Sequence, residues 1–343
     1  MISKLGGGFV MMLTFSMVAV SFFGAYIIYR TAPFEVKTYQ FKRGPVLRQQ
    51  AMRLFYWFVP AGLVLGFIVG LLYGKAFFFL IFGASMLPAG FLSVKENSLI
   101  DKIDSEIAVF LRSLGKVTAT LGTTVARSLN KIDRRSLSTL EPYLRRLDIR
   151  LSKGVDTQRC WDAFRDELGS ELANRATKVL VDGITLGGPP EKVGEISGEY
   201  AMDTALMRAR RAVSAMPFAF LTIPLHFAMT GLMVFVLEIM IAFNARITSA
   251  LAEMESISGG SGIDAVASLP FFQEHDMGLL TMMTTIALVA MTISNSLAPK
   301  FAMGGHSLNA AFFGGITCIM TGFNLLVIPG ITSNLLVDQA PIM

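Results

Sequence analysis

FYWFVPAGLVLGFIVGLLYGKAFFFLIFGASMLPAGFLSV, residues 55–94, carries a single charged side chain, Lys75. An α-helix needs roughly 20 predominantly apolar residues to cross a bilayer. The stretch is therefore read as two crossings, 55–74 and 76–94, joined by a tight turn at Gly74-Lys75. Gly62, Gly66, Gly70 and Gly74 recur at every fourth position, which leaves one helix face without side chains. Such a face lets a neighbouring helix approach closely. Packing within the bundle is the plainer reading and a homodimer contact the sharper one. The string Gly70 to Ala76 superficially suggests a phosphate-binding loop. It is one residue short, lacks the Ser or Thr hydroxyl and lies at a membrane turn, so it is rejected.

Four more apolar runs lie outward from this hairpin, at about 8–29, 217–243, 277–297 and 308–330. The whole chain is 53% apolar and 16% charged. A soluble protein of this length would carry about a quarter charged residues. The first run is too long for a secretory signal core, and Arg30 follows it directly, so it is read as a retained membrane helix. Six crossings result.

The connections differ in charge. Residues 30–54 hold Arg30, Lys37, Lys42, Arg43, Arg48 and Arg53 against Glu35 alone, and 298–307 holds Lys300 and no acid. Residues 95–215 hold 20 Lys plus Arg and 17 Asp plus Glu. In contrast, 245–276 holds Arg246 against Glu253, Glu255, Asp264, Glu274 and Asp276. With six crossings the three basic connections share one side. The excess of Lys and Arg on cytoplasmic loops places that side in the cytoplasm and both termini outside. Residues 245–276 read as an outer loop with a Gly/Ser-rich stretch, SISGGSGID, and a short interfacial helix at ITSALAEM.

The polar middle reads as helices. Ile103, Ile107, Phe110, Leu111, Leu114, Val117 and Leu121 form one stripe at gaps of three and four. Leu137, Leu140, Tyr143, Leu144, Leu147 and Leu151 form a second. Trp161, Phe164 and Leu168 mark a third helix, and a fourth runs from about Ser170 to Leu186. Gly187-Gly188 stops that helix and Pro189-Pro190 opens the next. This last helix has Glu191 and Glu195 near its start and Arg208, Arg210 and Arg211 near its end, complementing the helix dipole at the entry of the fourth span. The fold class is all-α, a polytopic membrane protein with one antiparallel helical bundle outside the bilayer. Its parts are a membrane block at 1–95, the bundle at 96–215 and a second membrane block at 216–343.

Little in the chain suggests catalysis. No span contains an aspartate, and three scattered histidines and two cysteines, Cys160 and Cys318, form no metal or nucleophile pattern. The chain is read as a non-enzyme with no cofactor and no metal. Glu238 and His226 lie in the fourth span. Glu238 is close enough to the outer interface to snorkel or pair, which is favoured over a proton path. His226 is read as packing or bonding within the bundle. Arg134, Arg135, Arg145 and Arg146, with Arg150 and Lys153, make a basic stretch. It reads as a solvated face or as a contact for an acidic partner. Nucleic acid is set aside because the block's charges nearly balance.

Phe110-Leu111-Arg112, then Gly122 and Ala126-Arg127-Ser128-Leu129, resemble the opening of the type II secretion system F domain. The likeness continues through Leu151 to Gly154, Cys160 to Phe164, Val179 to Gly188 and Val193 onward, covering roughly 102–243. Within that family the layout is most similar to the archaeal archaellum and type IV pilus assembly platform proteins, the FlaJ and TadC-like group. Many of those carry two such soluble domains, whereas this chain has one clear copy, and Pro189-Pro190 stands where an acidic turn is usual. The resemblance implies a platform in the cell membrane that couples a cytoplasmic motor ATPase to assembly of pilin-like or archaellin subunits, plausibly as a homodimer. Arg134, Arg135, Arg145, Arg146, Arg208, Arg210 and Arg211 are then the expected contacts for the motor or for membrane lipids. The rival readings are a secondary transporter or channel and a membrane-anchored scaffold without a motor.

Overall fold

A computed structural model of the chain describes residues 2–33, 35–40, 42, 44–133, 135–258 and 277–337. In chain order the helices are α1 (Ile2–Thr31), α2 (Val46–Tyr73), α3 (Lys75–Leu121), α4 (Val125–Ser128, followed by a 3-10 turn at Leu129–Lys131), α5 (Glu141–Ser152), α6 (Thr157–Leu168), α7 (Glu171–Thr185), α8 (Pro190–Ser258), α9 (Met277–Met303) and α10 (Asn309–Val337). Among the described residues there is no strand, only an isolated bridge between Thr38 and Ser170.

The protein is all-α and polytopic. Among the described residues, five helices, α2, α3, α8, α9 and α10, are long and apolar enough to cross a membrane. They cover the expected spans 76–94, 217–243 and 277–297 in full, and 55–74 and 308–330 to within one residue at an end. The run at 8–29 lies within α1, which packs along α9, where the Ser294 hydroxyl donates to the Ser21 carbonyl at 2.7 Å.

Two helices run through both the apolar and the polar parts of the molecule. α3 has 47 residues and α8 has 69, so at 1.5 Å per residue they extend about 70 and about 100 Å. Neither breaks at 95–96 or at 215–216. Where a short interfacial helix was expected at Ile247 to Met254, α8 simply continues to Ser258. The rest of the Gly/Ser-rich loop lies outside the described residues.

The glycine face of α2 meets α3. A Cβ built on Gly62 would lie 2.1 Å from Ser85 Oγ, one on Gly66 3.2 Å from the Phe78 carbonyl oxygen, and one on Gly70 2.9 Å from Phe78 Cβ. Gly74 is different: it is the turn itself, with φ +108° and open space where a Cβ would stand.

The bundle's core is drawn from the stripes read from the sequence, except that Leu121 at the end of α3 is exposed and Val117, Tyr143 and Leu151 lie at the core's edge. Ile103, Ile107, Phe110, Leu111 and Leu114 of α3 pack with Leu144 and Leu147, with Trp161, Phe164 and Leu168, and with Leu172, Ala176 and Leu180. Phe164 is the hub, its ring centroid 6.3 Å from Phe110 and 5.6 Å from Trp161. Burying such side chains stabilises by about 1.5–3 kcal/mol each. The ends are fixed locally: Asp156 accepts from the Arg159 amide to start α6, and Ser170 accepts from the Ala173 amide to start α7. Where α3 crosses α8, a Cβ on Gly115 would lie 2.5 Å from the Pro190 carbonyl oxygen, and one on Gly194 would lie 2.8 Å from Gly115 Cα. The crossing admits no side chain at either position.

Candidate functional site

The chemistry of the molecule concentrates where the bundle joins the apolar helices. The described residues between α1 and α2 form a strap across the turn between α6 and α7. The Tyr39 amide donates to the Gly169 carbonyl at 2.8 Å, and the Glu171 amide to the Lys37 carbonyl at 3.1 Å. The amides of Lys42 and Gly44 donate to Asp166 at 3.1 and 3.2 Å. Gly169 ends α6 in the left-handed region, φ +67°, and a Cβ there would stand 2.2 Å from Pro45 Cγ. Glycine is therefore needed twice over, for the turn and for the strap that covers it.

Beneath this strap lie two buried ion pairs on one face of α3. Glu96, Ile100, Asp104 and Ala108 follow at i+4 intervals and are all buried. Arg48, at the start of α2, donates to Glu96 at 2.8 Å through Nε, to the Tyr39 carbonyl at 2.6 Å and to the Gly169 carbonyl at 3.0 Å. Two turns along, Asp104 accepts from the Ser170 hydroxyl and from Arg208 of α8. Arg208 also pairs with Glu35 on the strap, and Lys37 pairs with Asp101 at 2.5 Å. Asp104 lies beyond the apolar part of α3. Burial pushes its carboxyl up to about 6, against the opposing pull of Arg208 and Ser170.

The turn between α9 and α10 completes the junction. Gly304 and Gly305 both have positive φ, and a Cβ on Gly304 would lie 3.3 Å from the Arg211 guanidinium. Arg211 donates to the carbonyls of Ala302 at 3.1 Å, Phe301 at 2.9 Å and Pro33 at 2.9 Å. It thus caps the C-terminal end of α9 and ties it to the strap. The Ser93 hydroxyl donates to Asn309 at 2.7 Å. His306 is held neutral: burial, then the charges of Arg48 and Lys300, lower its pKa to about 4. The three basic connections therefore meet at one end of the apolar helices. At the hairpin end, the Lys75 ammonium donates to the Thr285 hydroxyl at 3.0 Å.

A polar seam runs between α8, α9 and α10. His226 Nδ1 lies 3.0 Å from Asn295 Nδ2, and Nε2 lies 3.0 Å from Thr321 Oγ1 and 3.1 Å from the Thr317 carbonyl. An amide N–H can only donate, so Nδ1 accepts and Nε2 carries the proton. Asn324 donates to Thr230 at 2.9 Å and to the Phe227 carbonyl at 2.8 Å. These bonds hold three apolar helices together where lipid offers no alternative partner.

The arginines singled out in the sequence separate into groups. Arg208 and Arg211 are both engaged within the junction by the bonds above, Arg208 with two carboxylates and Arg211 with three backbone carbonyls. Arg146 pairs with Glu167 at 2.7 Å and lies 4.8 Å over the Tyr143 ring. Arg135, Arg145 and Arg210 are exposed. Arg134 lies outside the described residues. Arg48, Glu96, Asp104 and Glu35 were not anticipated as a site. The available signal was the placement of two acids, Glu96 and Asp104, in register with the apolar stripe of α3.

No family model matches the chain, and no solved structure matches it. The chain is 28% identical over 107 residues to Flagella accessory protein J of Methanocaldococcus jannaschii. That similarity spans 31% of this chain and 19% of the relative, so it is distant and partial.

Proposed function

We propose that the chain is a non-catalytic membrane platform for assembly of an archaellum or related filament, with its helical bundle and basic connections on the cytoplasmic side and both termini outside. The observation that carries this reading is the partial identity with Flagella accessory protein J. The architecture supports it. A platform must pass movement from a soluble motor to subunits in the bilayer, and α3 and α8 each run unbroken from the bundle into apolar helix. The Arg48–Glu96 and Asp104–Arg208–Glu35 pairs tie these helices to α2 and the strap, so the bundle and the membrane helices move as one piece. The motor is a cytoplasmic secretion-type ATPase, docking on the exposed basic face, and the cargo is pilin-like or archaellin subunits.

Co-purification of the full chain with such an ATPase from native membranes tests the reading. A stable complex is expected at low salt, and its absence with the folded platform present overturns the proposal. The polar seam at His226 is the one observation that favours a transporter instead. Its groups satisfy one another, which suits packing. Substrate uptake by vesicles, lost on Glu238→Gln, would decide for transport.

A further inference from the structure

A cleft of about 430 Å³ opens at the junction, where the C-terminal ends of α1 and α9 meet the strap. That volume is within the range of small-molecule sites. Its walls bring together Arg30, Lys37, Arg211 and Lys300, with His306 and the Gly304-Gly305 turn, against one acid, Glu35. Lys37 is balanced by Asp101, and Glu35 is engaged with Arg208. Arg211 bonds only backbone carbonyls, and Lys300 stands 5.0 Å over the Phe301 ring. Arg30 is exposed. Among the described residues, Arg30, Arg211 and Lys300 therefore face the cleft with no carboxylate partner. One wall is a turn with positive φ at successive glycines, Gly304 and Gly305, and a Cβ at Gly304 would press to within 3.3 Å of the Arg211 guanidinium.

We propose that this cleft binds the phosphate of an anionic phospholipid headgroup. The shared chemistry, a phosphate among converging cations, would also suit free inorganic phosphate, and position favours the lipid. Tyr29 and Phe301 pack with tilted rings at its edge, centroids 5.0 Å apart, where an interfacial aromatic pair belongs. Below it, Phe22, Phe23 and Tyr26 of α1 present exposed apolar surface along which acyl chains can lie. Cations at this level gain from anionic headgroups. A bound headgroup would bridge α1, the strap and the α9–α10 turn, fixing the junction to the membrane surface.

The test uses the purified full chain in a neutral detergent, titrated separately with dioctanoyl phosphatidylglycerol, dioctanoyl phosphatidylcholine and inorganic phosphate, with binding read by native mass spectrometry and by the shift in unfolding temperature. The anionic lipid is expected to bind at least ten-fold more tightly than either other probe. Arg30→Gln and Lys300→Gln, each with an unchanged lipid-free unfolding temperature, are expected to weaken it five-fold or more. Lys178→Gln, exposed on the distant bundle, is expected to bind as the unaltered chain does. Arg30 is exposed, so Arg30→Gln keeps the test meaningful if Lys300→Gln fails to fold. Equal binding of the zwitterionic lipid, equal binding of inorganic phosphate, or undiminished binding by Arg30→Gln overturns the assignment. None of these outcomes depends on a motor or a filament.

Discussion

Arg48 and Glu96 form an ion pair with almost no water contact, their side chains 3% and 2% exposed and Nη2 2.7 Å from Oε1. The pair joins the first turn of α2 to α3 just past its apolar stretch. Arg48 also satisfies the carbonyls of Tyr39 and Gly169, so one guanidinium holds α2, the strap and the end of α6.

Breaking one side of such a pair strands the other charge and costs about 3–5 kcal/mol. Arg48→Met should therefore lower stability by that order in a detergent melt. Glu96→Gln keeps a hydrogen-bond acceptor for Arg48 and should cost less. The double variant Arg48→Met with Glu96→Leu should recover part of the loss, because no charge is left stranded. Equal stability of Arg48→Met and the unaltered chain would show that the pair does not tie the junction.

Asp104 gives the junction a pH dependence with a definite sign. Its folded pKa, about 6, lies above the ordinary 3.8, so the folded state holds the proton more tightly. Between those values the unfolded state binds fewer protons, and stability falls as pH rises. The Asp104 contribution is thus favourable below the ordinary pKa and is lost as pH climbs through about 6. Asp104→Asn removes it. Stability of the variant relative to the unaltered chain should be higher at pH 7 than at pH 4.5, by about 2 kcal/mol. Unfolding temperatures in detergent at both pH values measure the difference, and a difference independent of pH would show that Asp104 stays ionised throughout.

The close crossing of α3 and α8 predicts a third effect. Gly194→Leu puts four carbons where Gly115 Cα and the Leu111 carbonyl oxygen already stand within 3 Å of a Cβ. Both obstacles are backbone, so the helices must separate. A loss of at least about 2 kcal/mol is expected, and more than one methyl group would cause. Gly194→Ala should be milder but still destabilising, and a neutral Gly194→Leu would mean that the helices do not meet there.

Much of this architecture was legible from residue pattern alone. Apolar length locates α2, α8, α9 and α10, and the spacing Ile103, Ile107, Phe110, Leu111 and Leu114 identifies the buried face of the bundle, because both signals are local. The junction was not legible, because its bonds join residues far apart in the chain. Arg208 meets Glu35 across 173 positions and Arg211 meets Pro33 across 178. A single sequence shows such arginines only as charges near the end of a helix, and charge near a membrane entry reads as surface. Gly74 carries two signals at once: its four-residue spacing continues the packing face, and its place before Lys75 marks the turn, which is where the structure puts it. His226 offered a local clue, an ionisable group in an apolar run, but its partners Asn295, Thr317 and Thr321 come from other helices.

The separation of inward from outward arginines yields the last prediction, which bears on the motor contact. Arg135 and Arg145 are exposed, and reversing such charges shifts folding stability by only about 0.5 kcal/mol. If the ATPase docks on this face, Arg135→Glu with Arg145→Glu should leave the melt unchanged and weaken co-purification about ten-fold, with the loss greatest at low salt because exposed charges are screened. Arg208→Glu should behave in the opposite way. It places a third carboxylate between Asp104 and Glu35, so the unfolding temperature should fall sharply at any salt concentration, and motor binding should fail only because the platform is no longer folded. Parallel melts and pull-downs at 50 and about 300 mM salt, straddling the range over which the Debye length shrinks below 10 Å, separate the two cases. Undiminished ATPase binding by the folded Arg135→Glu, Arg145→Glu variant at both salts would remove this face from the docking surface and leave Arg210, exposed near the membrane end of the bundle, as the next residue to reverse.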